Sequence, residues 1–242
     1  EYITALPLAS RTNFPLIWKD ANNSEVAFKL VRTTTAGGRI GALYRGTSAN
    51  ATTIGTITWR PSQALLDSYD QVNDIRYSSY FFEEPLLKAN AARSIAAIMI
   101  NKYAGTAYAT PTELIADGKV FRTAEMYLIR AEARAETNDL TGAAADLNTL
   151  RAARINGYTN ASFSSKGDLI TAIMNERFKE LAYEGHRFFD AKRRNLPIIR
   201  LAADAQNNKI TLESGNFRFL LPIPNSEIQA NPLMVQNPGY TN

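Results

Sequence analysis

Cysteine is absent from the sequence, which excludes disulfide bonds, thiol nucleophiles and thiolate metal sites. Histidine is nearly absent: His186 stands alone, so a histidine-based metal site or a Ser-His-Asp triad would depend on a single side chain. No nucleophile-elbow serine motif and no EF-hand loop occur either. We therefore expect neither a metal ion nor a cofactor, and we interpret His186 as a residue of a helix surface.

Long apolar runs are also missing. No stretch reaches the roughly 18–20 residues that a membrane span needs, and residues 1–30 lack the basic start and apolar core of a signal peptide. The chain opens with Glu1-Tyr2-Ile3 and has no initiator methionine. We interpret it as a processed or truncated product whose targeting segment lies outside this sequence.

Neither sign of charge dominates the sequence. Lysine and arginine number 27 against 23 acidic residues, for a net charge of +4. The densest cationic run, Lys192-Arg193-Arg194, is too short to indicate nucleic-acid binding. Gly37-Gly38-Arg39 has the wrong spacing for a phosphate-binding loop and is typical of a turn. With 242 residues, 45% of them hydrophobic, the chain can bury one large core or two small ones.

Residues 1–118 are rich in threonine, serine, glycine, asparagine and aromatics. We predict a loop-rich portion with short strands that faces any ligand. The predicted strands are 26–30 and 54–59, together with 77–83 paired to 95–103; a short helix is predicted from Pro61 to Tyr69 and a loop at 104–118.

Residues 119–242 are predicted to be mainly helical. A first helix carries one apolar stripe, a second follows a break at Asn138-Asp139, and a third begins near a capping Ser165. The apolar positions are Phe121, Ala124, Leu128, Ala131 and Ala135, then Leu140, Ala143, Ala144, Leu147 and Leu150, then Ile170, Ile173, Met174, Phe178 and Leu181. The pair from Phe121 to Arg154 spans 34 residues, the length of one tetratricopeptide unit. Residues 217–224 are predicted to be extended.

Four blocks of this helical portion resemble signatures of the SusD/RagB family. They read RTAEMYLIRAEA at 122–133, NTLRAAR at 148–154, ERFKELAYEGHRFFDAKR at 176–193, and LPIPNSE with NP and QNPGY between Leu221 and Tyr240. Two departures are small: Ala191 replaces the usual leucine, and Ala153-Arg154 reverses the usual order. Weaker family marks occur at 24–28 and 74–76. The chain therefore resembles the C-terminal half of a family member.

The resemblance implies a mostly α fold, SusD-like, with a tetratricopeptide-like helix pair, further helices and a small β-containing, loop-rich portion. It also implies a surface-exposed lipoprotein of the outer membrane in a Bacteroidetes-type uptake system. Such proteins capture glycans, or in some members peptides, for a SusC-like TonB-dependent transporter, and they perform no known chemistry. We expect membrane attachment only through an N-terminal lipid anchor, in the half of the family fold that is absent here.

Glu176, Glu180 and Glu184 are spaced four residues apart, which predicts one helix face. Two neighbouring carboxylates could perform the acid and base steps of a glycosidase. The favoured interpretation is that they pair with arginines. The candidate partners are Arg122, Arg130, Arg177 and Arg187.

Aromatic side chains are the candidates for ligand contact. Sugar rings stack their apolar C–H faces on exposed aromatics, while their hydroxyls need polar partners. We predict ligand binding by Trp59, Arg76, Tyr77, Tyr80, Phe81 and Tyr108, and we weigh Trp18 and Tyr103 as further candidates. Most of these aromatics are individually expected to serve the core.

The predicted function is non-catalytic capture of an oligo- or polysaccharide, and three alternatives stay open. A peptide ligand predicts a groove rimmed by charges. A tetratricopeptide-type scaffold predicts a concave helical surface as the binding face. A glycosidase predicts two glutamates free of arginine and about 5–10 Å apart.

Overall fold

The computed structural model describes residues 2–33, 40–44, 59–83, 98–103, 105, 115–205, 209–231 and 233–240. The fold is mostly helical with little sheet, as the sequence predicts. The chain forms two compact units, Glu1–Gly185 and His186–Asn242. The division predicted after residue 118 falls inside the first unit.

The regular elements of the described residues are short except for three helices. The helices are α1 (Tyr2–Ala5), α2 (Phe14–Ile17), α3 (Gln63–Asp67), α4 (Ile75–Tyr80), α5 (Thr123–Glu136), α6 (Leu140–Arg154), α7 (Lys166–Glu180), α8 (His186–Arg193) and α9 (Asn225–Ala230). The strands are β1 (Val26–Leu30), β2 (Phe81–Glu83), β3 (Ile98–Ile100), β4 (Gly118–Arg122), β5 (Ile198–Ile199) and β6 (Thr211–Leu212), and 3-10 turns occupy Ile40–Leu43, Ala202–Asp204 and Phe217–Phe219.

Helices α5, α6 and α7 pack on one another through one apolar core. Alanines at the contact positions allow close approach, and Leu128, Leu147 and Ile173 are fully buried between the helices. The predicted cap of α7 is present, since Ser165 accepts the N–H of Asp168. Asp139, predicted only as part of the break between the first two helices, caps α6 by accepting the N–H of Gly142.

The start of the first long helix was predicted incorrectly. Phe121 belongs to β4 and is 51% exposed, and α5 begins at Thr123. Phe121 stands at helical spacing from Ala124 and Leu128, but it is not part of the helix, so this spacing is coincidental.

A second core of the first unit is aromatic. Trp18 lies at its centre, with edge-to-face contacts to Phe14, Tyr80 and Tyr103 at centroid distances of 5.4–6.1 Å. The buried hydroxyl of Tyr80 donates to the carbonyl of Glu180 at 3.0 Å. This bond attaches the aromatic core to the end of α7.

The strands form antiparallel pairs. The predicted strand 26–30 is confirmed and pairs with β4. The predicted pairing of 77–83 with 95–103 is confirmed at β2 and β3. Residues 77–80 are helical instead, because Asp74 caps α4 by accepting the N–H of Arg76. Residues 54–58 and 95–97 lie outside the described residues, as does most of the predicted 104–118 loop.

Two other predicted segments differ. The short helix between Pro61 and Tyr69 is present as α3, capped by Ser62. The segment predicted as extended at 217–224 instead opens with the 3-10 turn Phe217–Phe219.

Helix α7 ends at Glu180, earlier than the spacing of its glutamates predicts. Tyr183 and Gly185 have positive φ angles of 64° and 86°, so the helix does not continue through residues 181–185. Glu184 therefore lies in a turn and not on the face of α7. None of the helices in the described part of the chain is long and apolar enough to span a membrane.

Candidate functional site

The three glutamates meet a set of buried cations at the centre of the first unit. We call this set the ionic cluster; it comprises Glu25, Asp74, Arg76, Lys102, Arg122, Arg151, Arg154, Glu176, Glu180 and Glu184. Apart from Arg151, their side chains are at most 5% exposed. Burial of these side chains makes full pairing necessary, because an unpaired buried charge is strongly destabilising.

Glu180 is the centre of the ionic cluster. Its carboxylate accepts from Arg76 at 3.1 Å, from Arg122 at 3.0 Å and from Arg154 at 3.1 and 3.2 Å. These arginines come from α4, from the end of β4 and from the end of α6. One side chain thus joins three elements that are far apart in sequence.

The other two glutamates complete the pairing. Glu176 accepts from Arg76 Nη1 at 2.5 Å and from Arg151 Nε at 2.7 Å. Glu184 accepts from Arg122 Nη2 at 2.6 Å and from Lys102 Nζ at 2.7 Å. Of the arginine partners predicted from sequence, Arg122 is confirmed. Arg130 pairs with Asp146 instead, at 2.5 Å.

Two further carboxylates attach outlying segments to the cluster. Glu25 accepts from Arg122 at 2.7 Å, from Arg154 at 2.8 Å and from the backbone N–H of Ala9 at 2.8 Å. Asp74 holds Arg76 through two hydrogen bonds, at 2.8 and 2.7 Å. The N-terminal segment and α4 are thereby fixed to the helical core.

The electrostatics of the cluster are unsuited to proton donation. Burial by itself raises the pKa of Glu176, but Arg76, Lys179 and Arg151 lower it to about 2. Neighbouring cations likewise outweigh burial at Glu180 and Glu184 and lower the pKa of each. A glycosidase acid needs a raised pKa and access to substrate. The cluster offers neither, so its carboxylates are structural.

At Lys102, another member of the ionic cluster, burial outweighs the neighbouring charges. Burial lowers the pKa of Lys102 to about 7, against the attraction of Glu184. Its ammonium lies 3.9 Å from the ring centroid of Tyr80 and 4.4 Å from that of Trp18, and it donates to the carbonyl of Ala182 at 2.8 Å. It therefore joins the aromatic core to the turn after α7.

The structure brings together four of the six predicted ligand residues, three of them buried inside the protein. Arg76 and Tyr80 are fully buried and Phe81 is 3% exposed. Tyr77 is partly buried and packs on Phe81 with ring centroids 5.6 Å apart. A ligand would have to displace the aromatic core to reach the three buried side chains.

The remaining predicted residues lie elsewhere. Trp59 precedes α3 and is 61% exposed, so its indole ring is accessible for stacking. Tyr108 lies outside the described residues. Trp18 and Tyr103, also considered from sequence, are core residues of at most 5% exposure.

An exposed aromatic pair on β1 and β4 was not predicted from the sequence. Phe28 and Phe121 are each about half exposed, with ring centroids 6.2 Å apart. The sequence of β4 contained a signal for this pair, because Lys119 and Arg122 flank the apolar residues Val120 and Phe121. If the two charged side chains are buried, the apolar ones between them are exposed. Among the described residues, no group of three or more histidine, cysteine or acidic side chains is arranged to hold a metal ion.

The fold and site define a helical protein whose central acidic residues are structural and whose described surface carries scattered aromatics. The model of the SusD family matches residues 77–240, and the chain belongs to that family.

Related proteins share the architecture over almost all of the chain. A SusD superfamily protein of Bacteroides thetaiotaomicron is 27% identical with a TM-score of 0.77, covering 96% of this chain and 52% of its own. A protein of Bacteroides vulgatus, named as a candidate sugar-binding protein, is 25% identical with a TM-score of 0.73, covering 98% of this chain and 52% of its own.

A SusD-like protein, P25 of Formosa agariphila, is 30% identical over 129 residues, which are 51% of this chain and 24% of that protein. The chain thus spans about half the length of the solved relatives and a smaller share of this one.

Proposed function

We propose that the protein captures glycan at the cell surface without catalysis and delivers it to a TonB-dependent transporter of the outer membrane. Membership of the SusD family is the observation that carries this proposal. The ionic cluster supports its non-catalytic part, because each of the glutamates 176, 180 and 184 accepts hydrogen bonds from cations. Capture requires affinity and not proton transfer, so such a cluster is compatible with the role.

We further propose that Trp59 supplies a stacking surface for a sugar ring, with Tyr77 and Tyr108 as further candidates. The exposure of Trp59 supports its assignment. Arg76, Tyr80 and Phe81, which the sequence places in the same set, would act by fixing α4 and β2. A single stacked ring binds weakly, so retention would depend on several contacts and on the transporter.

The proposed location is the outer face of the outer membrane. Attachment through a lipid on a preceding segment, and pairing with a SusC-like transporter, belong to the same proposal. Both concern a longer protein than the chain described here.

Isothermal titration against a panel of polysaccharides tests the proposal. The 242-residue chain and a longer protein with the length of its relatives are titrated in parallel, together with a casein-peptide digest. Saturable glycan binding is expected, and Trp59→Ala should weaken it about tenfold because stacking on one aromatic contributes about 1–3 kcal/mol by analogy with base stacking. Trp59→Phe should retain most of it.

Phe189→Ala is the matched control, since Phe189 is 67% exposed but lies in the second unit. Equal effects of the two alanine variants would contradict the assignment of Trp59. Binding of peptide and not glycan would replace the proposed ligand class. Absence of both, with capture of a protein partner only, would favour the scaffold alternative.

A further inference from the structure

The second unit contains a groove that no part of the proposed function uses. It lies between the end of α8 and residues 214–220 and has a volume of about 310 Å³. That volume is at the lower end of the roughly 300–1,000 Å³ of small-ligand sites. Its lining residues are Ala191, Lys192, Asn195, Leu196, Ser214, Gly215, Asn216, Phe217, Phe219 and Leu220.

The floor of the groove is apolar and firmly held. Phe219 is 7% exposed and stacks on Phe188 with ring centroids 5.6 Å apart. The rings of Phe217 and Tyr240 pack edge to face with centroids 4.9 Å apart. A Cβ atom added at Gly239 would lie 2.4 Å from Cγ of Phe217, which is too close. The QNPGY segment thus holds Phe217 in the floor of the groove, and only glycine fits at position 239 beside that ring.

The rim is polar and has unused hydrogen-bonding capacity. Within the described residues, no hydrogen bond or ion pair engages the side chains of Lys192, Asn195 or Ser214. The Asn216 side-chain oxygen accepts the N–H of Arg218, which leaves its amide N–H groups available. Amides and hydroxyls over an apolar floor suit a sugar ring, which has hydroxyl edges and C–H faces.

The charge of the lining selects the kind of sugar. Lys192 is the charged residue among the ten lining residues, and none of the ten is acidic. Its neighbour Arg193 is already paired with Asp190 at 2.8 Å. A cationic ligand would be repelled, whereas a carboxylate on the ring would receive a charge-assisted hydrogen bond from the free ammonium.

We propose that this groove binds a uronic acid residue of an acidic glycan, with its carboxylate at Lys192 and its hydroxyls at Asn195, Ser214 and Asn216. The saccharide class of the ligand rests on the proposed function, but the site is separate from Trp59. It would give the protein a preference for carboxylated over neutral chains.

Titration of the 242-residue chain with a galacturonic acid trimer, followed by NMR, tests the inference. The backbone amides of Gly215 and Asn216 should shift saturably. Lys192→Gln should weaken binding about tenfold, the usual effect of losing one charged hydrogen bond. Lys209→Gln is the matched control: it removes the same charge from an exposed lysine of the same unit that is not in the lining. It should change the affinity less than about twofold.

The methyl-esterified trimer separates charge from shape. It should bind the wild-type chain about tenfold more weakly than the acid and should not distinguish Lys192→Gln from wild type. Equal binding of ester and acid, equal effects of the two lysine variants, or no shift at Gly215 and Asn216 would each overturn the inference.

Failure of this inference can be distinguished from failure of the proposed function. Binding that is lost in Trp59→Ala and unchanged in Lys192→Gln would support the proposed function and reject the groove. Binding that depends on Lys192 alone, with no Trp59-dependent glycan in the polysaccharide panel, would support the groove and reject the Trp59 site. Circular dichroism on each variant ensures that only folded chains are compared.

Discussion

At the scale of single residues, Glu180 shows why a charged side chain can be placed at the centre of a protein. Its carboxylate would be costly to bury alone, but three guanidinium groups surround it. Each arginine in turn contacts a second carboxylate, so none of the three cations depends on Glu180 alone. The stability of the cluster therefore depends on completeness and not on any one pair.

Glu180→Gln should destabilise the first unit by about 3–5 kcal/mol, because it leaves buried arginines incompletely paired while preserving shape. Urea denaturation followed by circular dichroism measures the loss. Glu227→Gln, at an exposed position of α9, is the control and should stay within about 0.5 kcal/mol of wild type. Equal stability of the two variants would mean that the cluster contributes nothing net.

At the scale of elements, the β1–β4 pair has its polarity reversed relative to an ordinary amphipathic ribbon. Lys119 and Arg122 are buried, while Val120 and Phe121 face outward. Register shifts in β1 accompany this arrangement. The reason is that the inner face meets Asp20 and the ionic cluster, which require cations.

Hydrophobicity alone suggests that replacing the phenylalanine in β4 costs more stability than replacing the adjacent arginine. We expect the opposite order. Arg122→Met should cost about 3–5 kcal/mol, since Glu25, Glu180 and Glu184 each lose a partner. Phe121→Ser should cost less than about 1 kcal/mol because its ring is half exposed. Thermal melts of the two variants make the comparison, and a larger loss in Phe121→Ser would show that the ring is buried in solution.

At the scale of the whole molecule, the buried carboxylates couple folding to pH. The pKa of Glu176 is about 2 in the folded chain and 4.5 as its ordinary value, so the unfolded chain binds more protons between these values. The stability from Glu176 is thus fully present above about pH 5 and is lost as the pH falls toward 2. Glu180 and Glu184, whose pKa values are also lowered, act in the same direction.

The urea midpoint should accordingly fall between pH 5 and pH 2, with Glu176 alone accounting for about 3 kcal/mol. The measurement is a series of urea titrations at fixed ionic strength. Glu176→Gln should be less stable at pH 7 and should show a smaller decline in acid. A decline as steep as that of wild type would assign the pH dependence to other groups.

How far the sequence alone determined the fold is seen in the long helices. Their apolar spacing, the break at Asn138-Asp139 and the capping residue Ser165 act within a few residues, so local patterns were sufficient to predict α6 and α7. The four family blocks also allowed the family to be recognised. The predicted pairing of the glutamates with arginines was also confirmed, because a buried charge of one sign requires a partner of the other sign.

Only the tertiary structure decided which residues take part. Arg76 and Tyr80 are predicted from the sequence to contact a ligand, yet in α4 both are buried, because Glu176 and the carbonyl of Glu180 accept their hydrogen bonds. Those partners are about 100 positions away along the chain. No local pattern carries such a distance, since burial depends on what the rest of the chain brings to the same place. The sequence supplied the charges, and the packing of α4, β4, α6 and α7 determined that they are buried and paired with one another.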